Sequence, residues 1–416
     1  MSRVIIFSPD TVPVGRKLAA GPGIRSYEMA AALSKTYHEV TLASPEEDFT
    51  YDELSPVKLV SWNAKNVGQH CRGKDVVILP QGRMDLARSY VAQVGADVPT
   101  VVDLYDPVLL ENLYNLSANQ FGINYYQKLI KTTETLLRRG DFFIVANERQ
   151  RFYYLGMLNM LGRINPRTRD ARLMGIVPFG VPSEEPVHSK TALKGVIVPE
   201  GAKVILWSGG IYPWFDPFTL MKAMKILAAK IPDVKLVIQG GVHPRLHAPD
   251  STYRAALRMA KELSLLGDTV VEIPWVPLNE CFNYFLESDL GVCIHEQNLE
   301  NELSFRTRVL AFLRAGLPVV VSRGDVLSLE IQKFECGKVV SPGDEKELAV
   351  AMAEILEDEE KRGRMSYNAK EFVLREYAWE KVIRPLEKFC SEPRLADDRL
   401  SHHGFGLRRL ASGLRG

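Results

Sequence analysis

The sequence predicts an α/β protein built from two doubly wound domains that face a central cleft. Short apolar runs alternate with longer segments of helical periodicity along most of the chain, which is typical of parallel sheets covered by helices. The pattern restarts near the middle of the chain, after three prolines within residues 178–186. A chain of 416 residues also exceeds the size of one ordinary hydrophobic core, so two domains are expected.

The first half of the chain contains apolar runs that predict parallel strands, separated by amphipathic segments that predict helices. The predicted strands are 4–7, 40–43, 76–79, 101–104, 142–146 and 175–177, and the predicted helices include 24–34 and 125–138. The second half repeats this alternation. Its predicted strands are 204–207, 235–239, 270–273, 290–294, 318–321 and 338–340, and its predicted helices are 216–230, 251–265, 278–287, 304–315 and 345–357.

The two sets of elements define the expected domains. Residues 1–180 are predicted to form an N-terminal domain, 181–200 a linker, and 201–377 a C-terminal domain. Residues 391–416 are predicted to be a disordered basic tail, because four arginines and no acidic residue occur from Arg399 onward.

Composition argues against several classes of function. A formal net charge of +1 disfavours a general nucleic-acid binder. The five cysteines form no Cys-x-x-Cys pair, which disfavours a zinc site or a disulfide framework and favours a reducing cytoplasm. No apolar run approaches the roughly 20 residues of a membrane span, so at most peripheral membrane contact is expected. No Asp-x-Asp or His-Glu-x-x-His sequence occurs, and no metal is predicted.

The segment 302–321 predicts a capped helix that leads directly into a buried strand. Ser304 suits the N-cap position, because its hydroxyl can accept hydrogen bonds from the free amides of the first turn. Gly316 suits the left-handed residue that ends a helix, and Pro318 prevents the helix from resuming.

Two arginines fall near the start of this helix, where the positive end of the helix dipole disfavours cations. Free amides and the guanidiniums of Arg306 and Arg308 together suit a bound anion, most simply a phosphate. The alternative is that both arginines pair with nearby carboxylates such as Glu300 or Glu302.

Two glycine pairs lie at predicted strand-to-helix loops. Gly21 and Gly23 open a helix after a long loop, where they allow close approach to a ligand or serve a turn with positive φ angles. Gly209 and Gly210 follow the first strand of the second half and allow close approach to a phosphate. The aromatic side chains around the second pair are expected to be core; they are Trp207, Tyr212, Trp214 and Phe215.

Two carboxylates, Asp103 and Asp106, follow the fourth strand of the first half. Carboxylates at such a position can orient sugar hydroxyls or act as a base. Asp106 precedes a proline and is equally compatible with a plain turn, and the sequence does not choose between the two carboxylates.

Motifs spread over residues 3 to about 390 resemble the retaining glycosyltransferases of family 4, which have the two-domain glycosyltransferase-B architecture of Rossmann-like domains. Taken singly these motifs are weak, but their order and spacing are fairly specific. They are Gly21-Pro-Gly-Ile-Arg-Ser-Tyr-Glu28, His38-Glu-Val-Thr-Leu-Ala43, Val177-Pro-Phe-Gly-Val181, Trp275-Val-Pro-Leu-Asn-Glu280, Ser288-Asp-Leu-Gly-Val292 and Leu313-Arg-Ala-Gly-Leu-Pro-Val-Val320.

The resemblance implies that the C-terminal domain holds a nucleoside-diphosphate sugar as co-substrate and the N-terminal domain holds the acceptor. The loop like Gly21–Gly23 would face either ligand, and the final helices, over 378–390, would cross back onto the N-terminal domain. The segment like 300–308 would meet the transferred sugar and the diphosphate, which makes Ser304, Phe305, Arg306 and Arg308 donor contacts.

The implied reaction moves the sugar to an acceptor hydroxyl with retention and without a metal or other cofactor. Glu302 would contact sugar hydroxyls, and Asp103 or Asp106 would help to orient a glycan, lipid-linked or small-molecule acceptor. The amides near Gly209 and Gly210, the helix start and the arginines would stabilise the leaving diphosphate.

Two departures from the family weaken this expectation. The second of the family's two spaced glutamates is replaced by Ala311, and Glu302 lies about one residue out of register with the first. The loop after Ser208 lacks the usual cations, and Arg306 and Arg308 are predicted to supply that charge. The alternatives are a catalytically impaired nucleotide-sugar-binding paralogue and a sugar-nucleotide epimerase of the same fold.

Overall fold

The structure is a computed structural model that describes residues 1–36, 38–45, 57–81, 87–166, 168–169, 172–242 and 250–400, without the side chains of residues 87, 88 and 400. Its described strands form two parallel sheets, each covered by helices.

The first sheet contains seven described strands in the order β3-β2-β1-β4-β5-β6-β7, and every pairing is parallel. Strand β4 is buried along its whole length, as expected for a central strand covered on both faces. The strands are β1 (Arg3–Phe7), β2 (Glu39–Ser44), β3 (Lys58–Ser61), β4 (Val76–Pro80), β5 (Thr100–Asp103), β6 (Phe142–Val145) and β7 (Met174–Ile176).

The second sheet contains six described strands in the order β10-β9-β8-β11-β12-β13, again all parallel. Its strands are β8 (Lys203–Gly210), β9 (Val234–Gly241), β10 (Val270–Ile273), β11 (Leu290–Cys293), β12 (Val319–Ser322) and β13 (Gly337–Val340).

Helices connect the strands of both sheets. Those of the first sheet are α1 (Gly21–Ser34), α2 (Val67–Cys71), α3 (Ala87–Gln93), α4 (Val108–Asn115), α5 (Gln120–Arg139) and α6 (Glu148–Met160). Those of the second are α7 (Pro217–Lys230), α8 (Ser251–Glu262), α9 (Leu278–Leu286), α10 (Leu299–Leu303), α11 (Thr307–Arg314), α12 (Val326–Lys333) and α13 (Glu345–Glu357). The chain continues through α14 (Glu359–Tyr377), α15 (Trp379–Val382), α16 (Arg384–Ser391) and α17 (Asp397–Leu400).

The predicted fold class is confirmed, and each of the twelve predicted strands overlaps a strand of the structure. Strand β3 was missed because it is a short edge strand that begins with an exposed lysine and is only partly buried. The helix predicted over 304–315 is confirmed as α11, but it begins three residues later, at Thr307; a separate short helix, α10, ends just before the predicted start, at Leu303.

The C-terminal helices return to the first sheet. Val181 and Trp379 are linked by a backbone hydrogen bond of 3.0 Å, and the Trp379 ring lies against Gly180. The indole nitrogen of Trp379 also donates to Glu28 of α1 at 2.8 Å. Further along, the rings of Phe389 and Phe142 stack at 4.9 Å. The first and last parts of the chain therefore share one packed surface.

The chain stays ordered beyond the point at which a disordered tail was predicted to begin. Residues 391–400 finish α16 and form α17, where Arg399 pairs with the buried carboxylate of Asp141 at 2.5 Å. Because a buried carboxylate balances Arg399, the basic composition of this segment did not indicate disorder at this position. The remaining part of the predicted tail, residues 401–416, lies outside the described residues.

Across the described part of the chain, no helix is both long enough and apolar enough to cross a bilayer.

Replacing Gly180 with alanine tests the packing of the returning helices. A Cβ atom at this position would lie 2.4 Å from the Trp379 ring, which is rigid and 3% exposed. We expect Gly180→Ala to lower the free energy of unfolding by about 1–3 kcal/mol in urea titrations.

The matched control is Gly156→Ala in helix α6, where no atom lies within 4 Å of the added Cβ. This change should raise stability by about 0.5–1 kcal/mol, because alanine is the better helix former. Equal effects of the two substitutions would contradict the packing described.

Candidate functional site

A cleft of about 560 Å³ lies between the two sheets and is lined by residues of both. It is bordered by the loops after β1, β4, β5, β8 and β10 and by the start of α1 and of α11. Because all strands within each sheet are parallel, their carboxyl ends present these loops on one edge, where ligands bind in doubly wound sheets.

The predicted glycines 209 and 210 are the last two residues of β8 and line this cleft. Gly209 has a φ of +96°, which side-chain-bearing residues rarely adopt. A Cβ on Gly210 would lie 2.4 Å from the Tyr212 ring. Both positions therefore require glycine, and the backbone of this loop is open to a ligand.

The aromatic residues around this loop divide into two groups. Trp207 and Phe215 are buried and pack edge-to-face at 5.3 Å, as predicted for core residues. Tyr212 and Trp214 are half-buried, with ring centroids 4.9 Å apart, and both line the cleft. Both also pack against the hydrophobic core, so the core prediction holds in part for the second pair, and sequence alone does not show which face of the loop meets the cleft.

Ser304 does not cap a helix at its N-terminus. It is instead the C-cap residue of α10, with its backbone amide donating to Glu300 at 2.9 Å and its hydroxyl donating to the carbonyl of Asn301 at 3.0 Å. Ser304 is 3% exposed and does not line the cleft. The structure therefore does not bring Ser304, predicted as a donor contact, to the cleft, and its hydroxyl and amide are already bonded.

Helix α11 begins at Thr307, and this residue was missed as a candidate. Thr307 lines the cleft at the first turn, with its hydroxyl oxygen 3.8 Å from where a Cβ of Gly21 would lie. Phe305, just before it, also lines the cleft and is 5% exposed. A serine N-cap signal three residues earlier had shifted the predicted start of the helix.

Arg306 pairs with a nearby carboxylate, as the alternative to anion binding predicted. Its guanidinium donates to Glu300 at 2.9 Å, and Arg306 and Glu300 are 8% and 0% exposed. The pair is an internal counterion arrangement, in which removing one partner leaves a buried charge alone. Arg306 still lines the cleft, but its charge is already balanced.

Arg308 is placed differently. One guanidinium nitrogen donates to the carbonyl of Gly210 at 2.8 Å, while the group lies over the rings of Phe215 at 4.4 Å and Trp207 at 5.0 Å. Its other terminal nitrogen, Nη1, is buried and has no hydrogen-bond partner in the described structure. Arg308 thus places a positive charge, not paired with a carboxylate, beside the loop after Ser208, which has no cation of its own.

The glycines of the N-terminal loop have separate roles. Gly21 is the first residue of α1 and lines the cleft. Gly23 does not line it; a Cβ there would lie 1.8 Å from the carbonyl oxygen of Thr11. Neither glycine has a positive φ angle. The structure does not bring Gly23 to the cleft. The alternative of a positive-φ turn was wrong, because close packing of two backbone segments requires this glycine.

Asp103 lies at the end of β5 and lines the cleft, but it is engaged by Arg25. Two nitrogens of this guanidinium donate to the Asp103 carboxylate at 2.7 and 3.0 Å. Arg25 is 2% exposed and also donates to the carbonyls of Val177 and Pro178. The pair therefore fixes α1 and the interdomain segment to the sheet edge.

Asp106 and Glu111 line the same side of the cleft. Burial, together with the negative charge of Asp103, raises the pKa of Asp106 to about 7. Burial also raises the pKa of Glu111 well above its usual range, with Asp106 adding to the shift. Neither carboxyl group has a side-chain hydrogen-bond partner among the described residues. Glu111 was missed because nothing in its local sequence marks it as facing a cleft.

Glu302 was predicted to contact the sugar, but the structure does not bring it to the cleft. Its side chain is exposed and does not line the cleft, whereas its neighbour Glu300 points inward to Arg306. The difference follows from the short helix α10, which places residues two apart on different faces. Ala311, at the family's second glutamate position, does line the cleft, near Leu278 and Phe282.

Among the described residues, no group of three or more histidine, cysteine, aspartate or glutamate side chains has the arrangement of a metal site.

Comparisons with known proteins agree with this architecture. Residues 190–372 match the family model described as "Glycosyl transferases group 1". A D-inositol 3-phosphate glycosyltransferase of Corynebacterium glutamicum is 27% identical over 212 residues, which is 50% of this chain and 48% of the relative. The chain spans about half the length of the curated relatives it matches.

Solved structures match over nearly the whole chain. Sucrose-phosphate synthase from Thermosynechococcus elongatus has a TM-score of 0.67 and 17% identity, covering 93% of this chain and 98% of that one. Anabaena HepE in complex with UDP and glucose has a TM-score of 0.63 and 13% identity, covering 94% and 100%. Identities this low show the fold alone, which is the glycosyltransferase-B arrangement of two Rossmann-like domains. The family model over residues 190–372 lies within the C-terminal half of this fold.

The two aspartates of the cleft should respond to neutralisation in opposite directions. Asp103→Asn leaves the buried Arg25 guanidinium without its counterion and should destabilise the protein by about 3–5 kcal/mol. Asp106 binds its proton more tightly in the folded state, so its contribution to stability is lost as the pH rises from about 4 to about 7. Asp106→Asn should therefore stabilise the protein at pH 8, by on the order of 1 kcal/mol, and much less at pH 4.

Urea unfolding of the wild type and both variants at pH 8 and pH 4 measures these effects. Loss of stability in Asp106→Asn at pH 8 would contradict the unpaired, buried environment assigned to that carboxyl group.

Proposed function

We propose that the protein is a retaining glycosyltransferase of family 4 that transfers a sugar from a nucleoside-diphosphate sugar to an acceptor hydroxyl, without a metal. The family model over residues 190–372 covers the half of the chain that would hold the donor. Anabaena HepE, whose structure has UDP and glucose bound, shares the fold.

The observation that carries the proposal is the position of Arg308. Its guanidinium reaches the carbonyl of Gly210, and its Nη1 is unbonded and buried beside the cleft. Gly209 and Thr307 line the same cleft. A guanidinium, a glycine backbone and the first turn of a helix are the groups that bind phosphate.

This arrangement replaces the cations missing from the loop after Ser208. Arg308 supplies charge from α11 across to the end of β8, so the diphosphate of a donor can lie between the two elements. As the glycosidic bond to the leaving diphosphate breaks, negative charge grows on its oxygens. Fixed donors at that position stabilise the transition state, and the loss of one typically costs about 2.7–4 kcal/mol of activation free energy.

The remaining part of the donor would lie along the wall formed by α9 and α11. Leu278, Phe282 and Ala311 make this wall largely apolar, with Trp275 at its edge. A flat base fits such a wall, whereas the ribose lacks the carboxylate that the family places at residue 311. The donor therefore depends more on its diphosphate in this protein than in typical members.

A second candidate function is nucleotide-sugar binding without transfer. Ala311 favours it, because the family's second carboxylate is absent. Donor consumption separates the two: purified protein that binds UDP-sugars but consumes none with any acceptor supports the binding function. Conversion of the sugar nucleotide without an acceptor would instead indicate an epimerase.

We place the protein in the cytoplasm. All five cysteines are free, and four of them are buried. Unpaired thiols are typical of a reducing compartment.

Substitutions of the two arginines test the donor site. Arg308→Ala should weaken UDP binding in titration calorimetry by about tenfold or more, because hydrogen bonds to charged groups contribute about 1.5–3 kcal/mol. Arg308→Lys keeps the positive charge but loses the planar guanidinium with its paired donors. Its affinity for UDP should therefore lie between those of the wild type and Arg308→Ala. Arg306→Ala should act mainly on stability, since it leaves the buried Glu300 unpaired.

A panel of nucleoside diphosphates in thermal-shift assays identifies the base before this comparison, since a ligand at about 100 times its Kd stabilises by roughly 2.7 kcal/mol. Unchanged affinity of the best nucleotide for Arg308→Ala would refute the role of this residue.

A further inference from the structure

The two walls of the cleft carry opposite charge. Among the described residues that line it, the C-terminal domain contributes three guanidiniums, of Arg306, Arg308 and Arg314, and no carboxylate. The N-terminal domain contributes one guanidinium and five carboxyl groups. They are Arg25, and Asp10, Glu28, Asp103, Asp106 and Glu111. A ligand that spans the cleft therefore meets a cationic wall and an acidic wall.

The one lining guanidinium of the described N-terminal wall is not available to an anion. Arg25 donates through three nitrogens to Asp103 and to the carbonyls of Val177 and Pro178. Its charge is balanced by the Asp103 carboxylate inside the protein. A phosphate bound at this wall would have to displace that buried pair.

The acidic wall also presents hydrogen-bond acceptors that lack donors. The carboxyl groups of Asp106 and Glu111 have no side-chain partner among the described residues. One helical turn beyond Glu111, on the same face of α4, the side-chain oxygen of Asn115 is buried and has no partner. Hydroxyl groups have a hydrogen to donate to such oxygens, whereas an ionised phosphate has none.

Negative charge is already crowded at this wall. Burial raises the pKa of Asp106, and the charges of Asp103 and Glu300 raise it further, while Arg25 and Arg306 oppose the shift. A phosphate added beside Asp106 would meet the same repulsion above a pH of about 7, where this carboxyl group is ionised.

Across the cleft, Tyr212 and Trp214 offer aromatic faces that suit the apolar side of a sugar ring. Both are half-buried and line the cleft, and the pKa of Tyr212 is raised to about 12, chiefly by burial and in part by the charges of Asp10 and Glu111. The aromatic pair and the acidic wall line the same cleft. Unpaired acceptors and aromatic rings in one cleft form a pocket with convergent polar groups.

We propose that the acceptor bound at this wall is an unphosphorylated, hydroxyl-rich compound, and that Asp106 and Glu111 determine this specificity. The inference rests on the proposed glycosyltransferase function. It differs from what the names of relatives suggest, since D-inositol 3-phosphate glycosyltransferase and sucrose-phosphate synthase carry phosphorylated compounds in their names.

The test compares matched pairs of compounds that differ only by a phosphate. Saturation-transfer NMR at pH 8, where Asp106 is ionised, compares the pairs with and without saturating UDP. The pairs are glucose and glucose 6-phosphate, fructose and fructose 6-phosphate, and inositol and inositol 1-phosphate. We expect the unphosphorylated compound of at least one pair to bind about tenfold tighter or more. The reason is that repulsion between a phosphate and a nearby carboxylate at a protein surface is large enough to change an affinity by this factor. Equal or tighter binding of the phosphorylated partners, or no preference within any pair, would overturn the proposal.

Isosteric variants assign the preference to the two residues. Glu111→Gln and Asp106→Asn should narrow the ratio of the two affinities by several-fold, whereas a merely structural role would change both affinities alike. Glu134→Gln, on the outer face of α5, is the matched control and should leave the ratio unchanged. Raising the salt concentration should also narrow the ratio in the wild type. An unchanged ratio in both cleft variants would show that Asp106 and Glu111 do not determine the preference for unphosphorylated compounds.

The failure of this inference is distinguishable from failure of the proposed function. Absence of binding of every nucleoside diphosphate in the panel to the wild type would count against the glycosyltransferase proposal itself. Tight UDP binding together with a preference for phosphorylated sugars would leave the donor site intact and refute only the acceptor class.

Discussion

The candidate site depends on one contact between two secondary-structure elements, the hydrogen bond from Arg308 to the carbonyl of Gly210. The guanidinium is held against the rings of Trp207 and Phe215, so its position is set by packing as well as by hydrogen bonding. This fixes a positive charge at the end of β8, where the chain has two glycines and no cation of its own. An anion-binding group that is already immobilised loses little entropy when a ligand arrives.

The other buried charges of the cleft are organised so that this cation remains free of a carboxylate partner. Arg25 is balanced by Asp103, and Arg306 is balanced by Glu300. Each of these pairs lies within hydrogen-bond distance and is almost fully excluded from solvent, so neither arginine has net charge to offer a ligand. As a result, the cationic wall of the cleft belongs to the C-terminal domain and the acidic wall to the N-terminal domain. A donor and an acceptor bound in the cleft would therefore meet walls of opposite charge.

The sequence predicted the fold well because parallel sheets with helices on both faces require buried, continuous apolar strands that are visible as local runs. It also located the cleft loops, since Gly209, Gly210 and Arg308 all lie at strand ends or helix starts. It did not separate Arg306 from Arg308, because the partner choice depends on whether Glu300 faces inward. It missed Glu111 for the same reason: the direction of a side chain toward a cleft is set by tertiary packing rather than by local pattern.

Side chains of the N-terminal domain form hydrogen bonds with the segment between α10 and α11. These bonds link the candidate donor site to the position of one domain relative to the other. Tyr105 donates to the carbonyl of Phe305 at 3.1 Å, and the side-chain amides of Asn147 and Gln150 donate to the carbonyl of Leu303 at 3.1 and 3.0 Å. These bonds bridge the two domains immediately before Thr307 and Arg308. Opening the cleft must break them, which would release the segment that leads into α11. The geometry of the anion-binding end is therefore coupled to closure of the cleft, so donor binding and domain closure should favour each other.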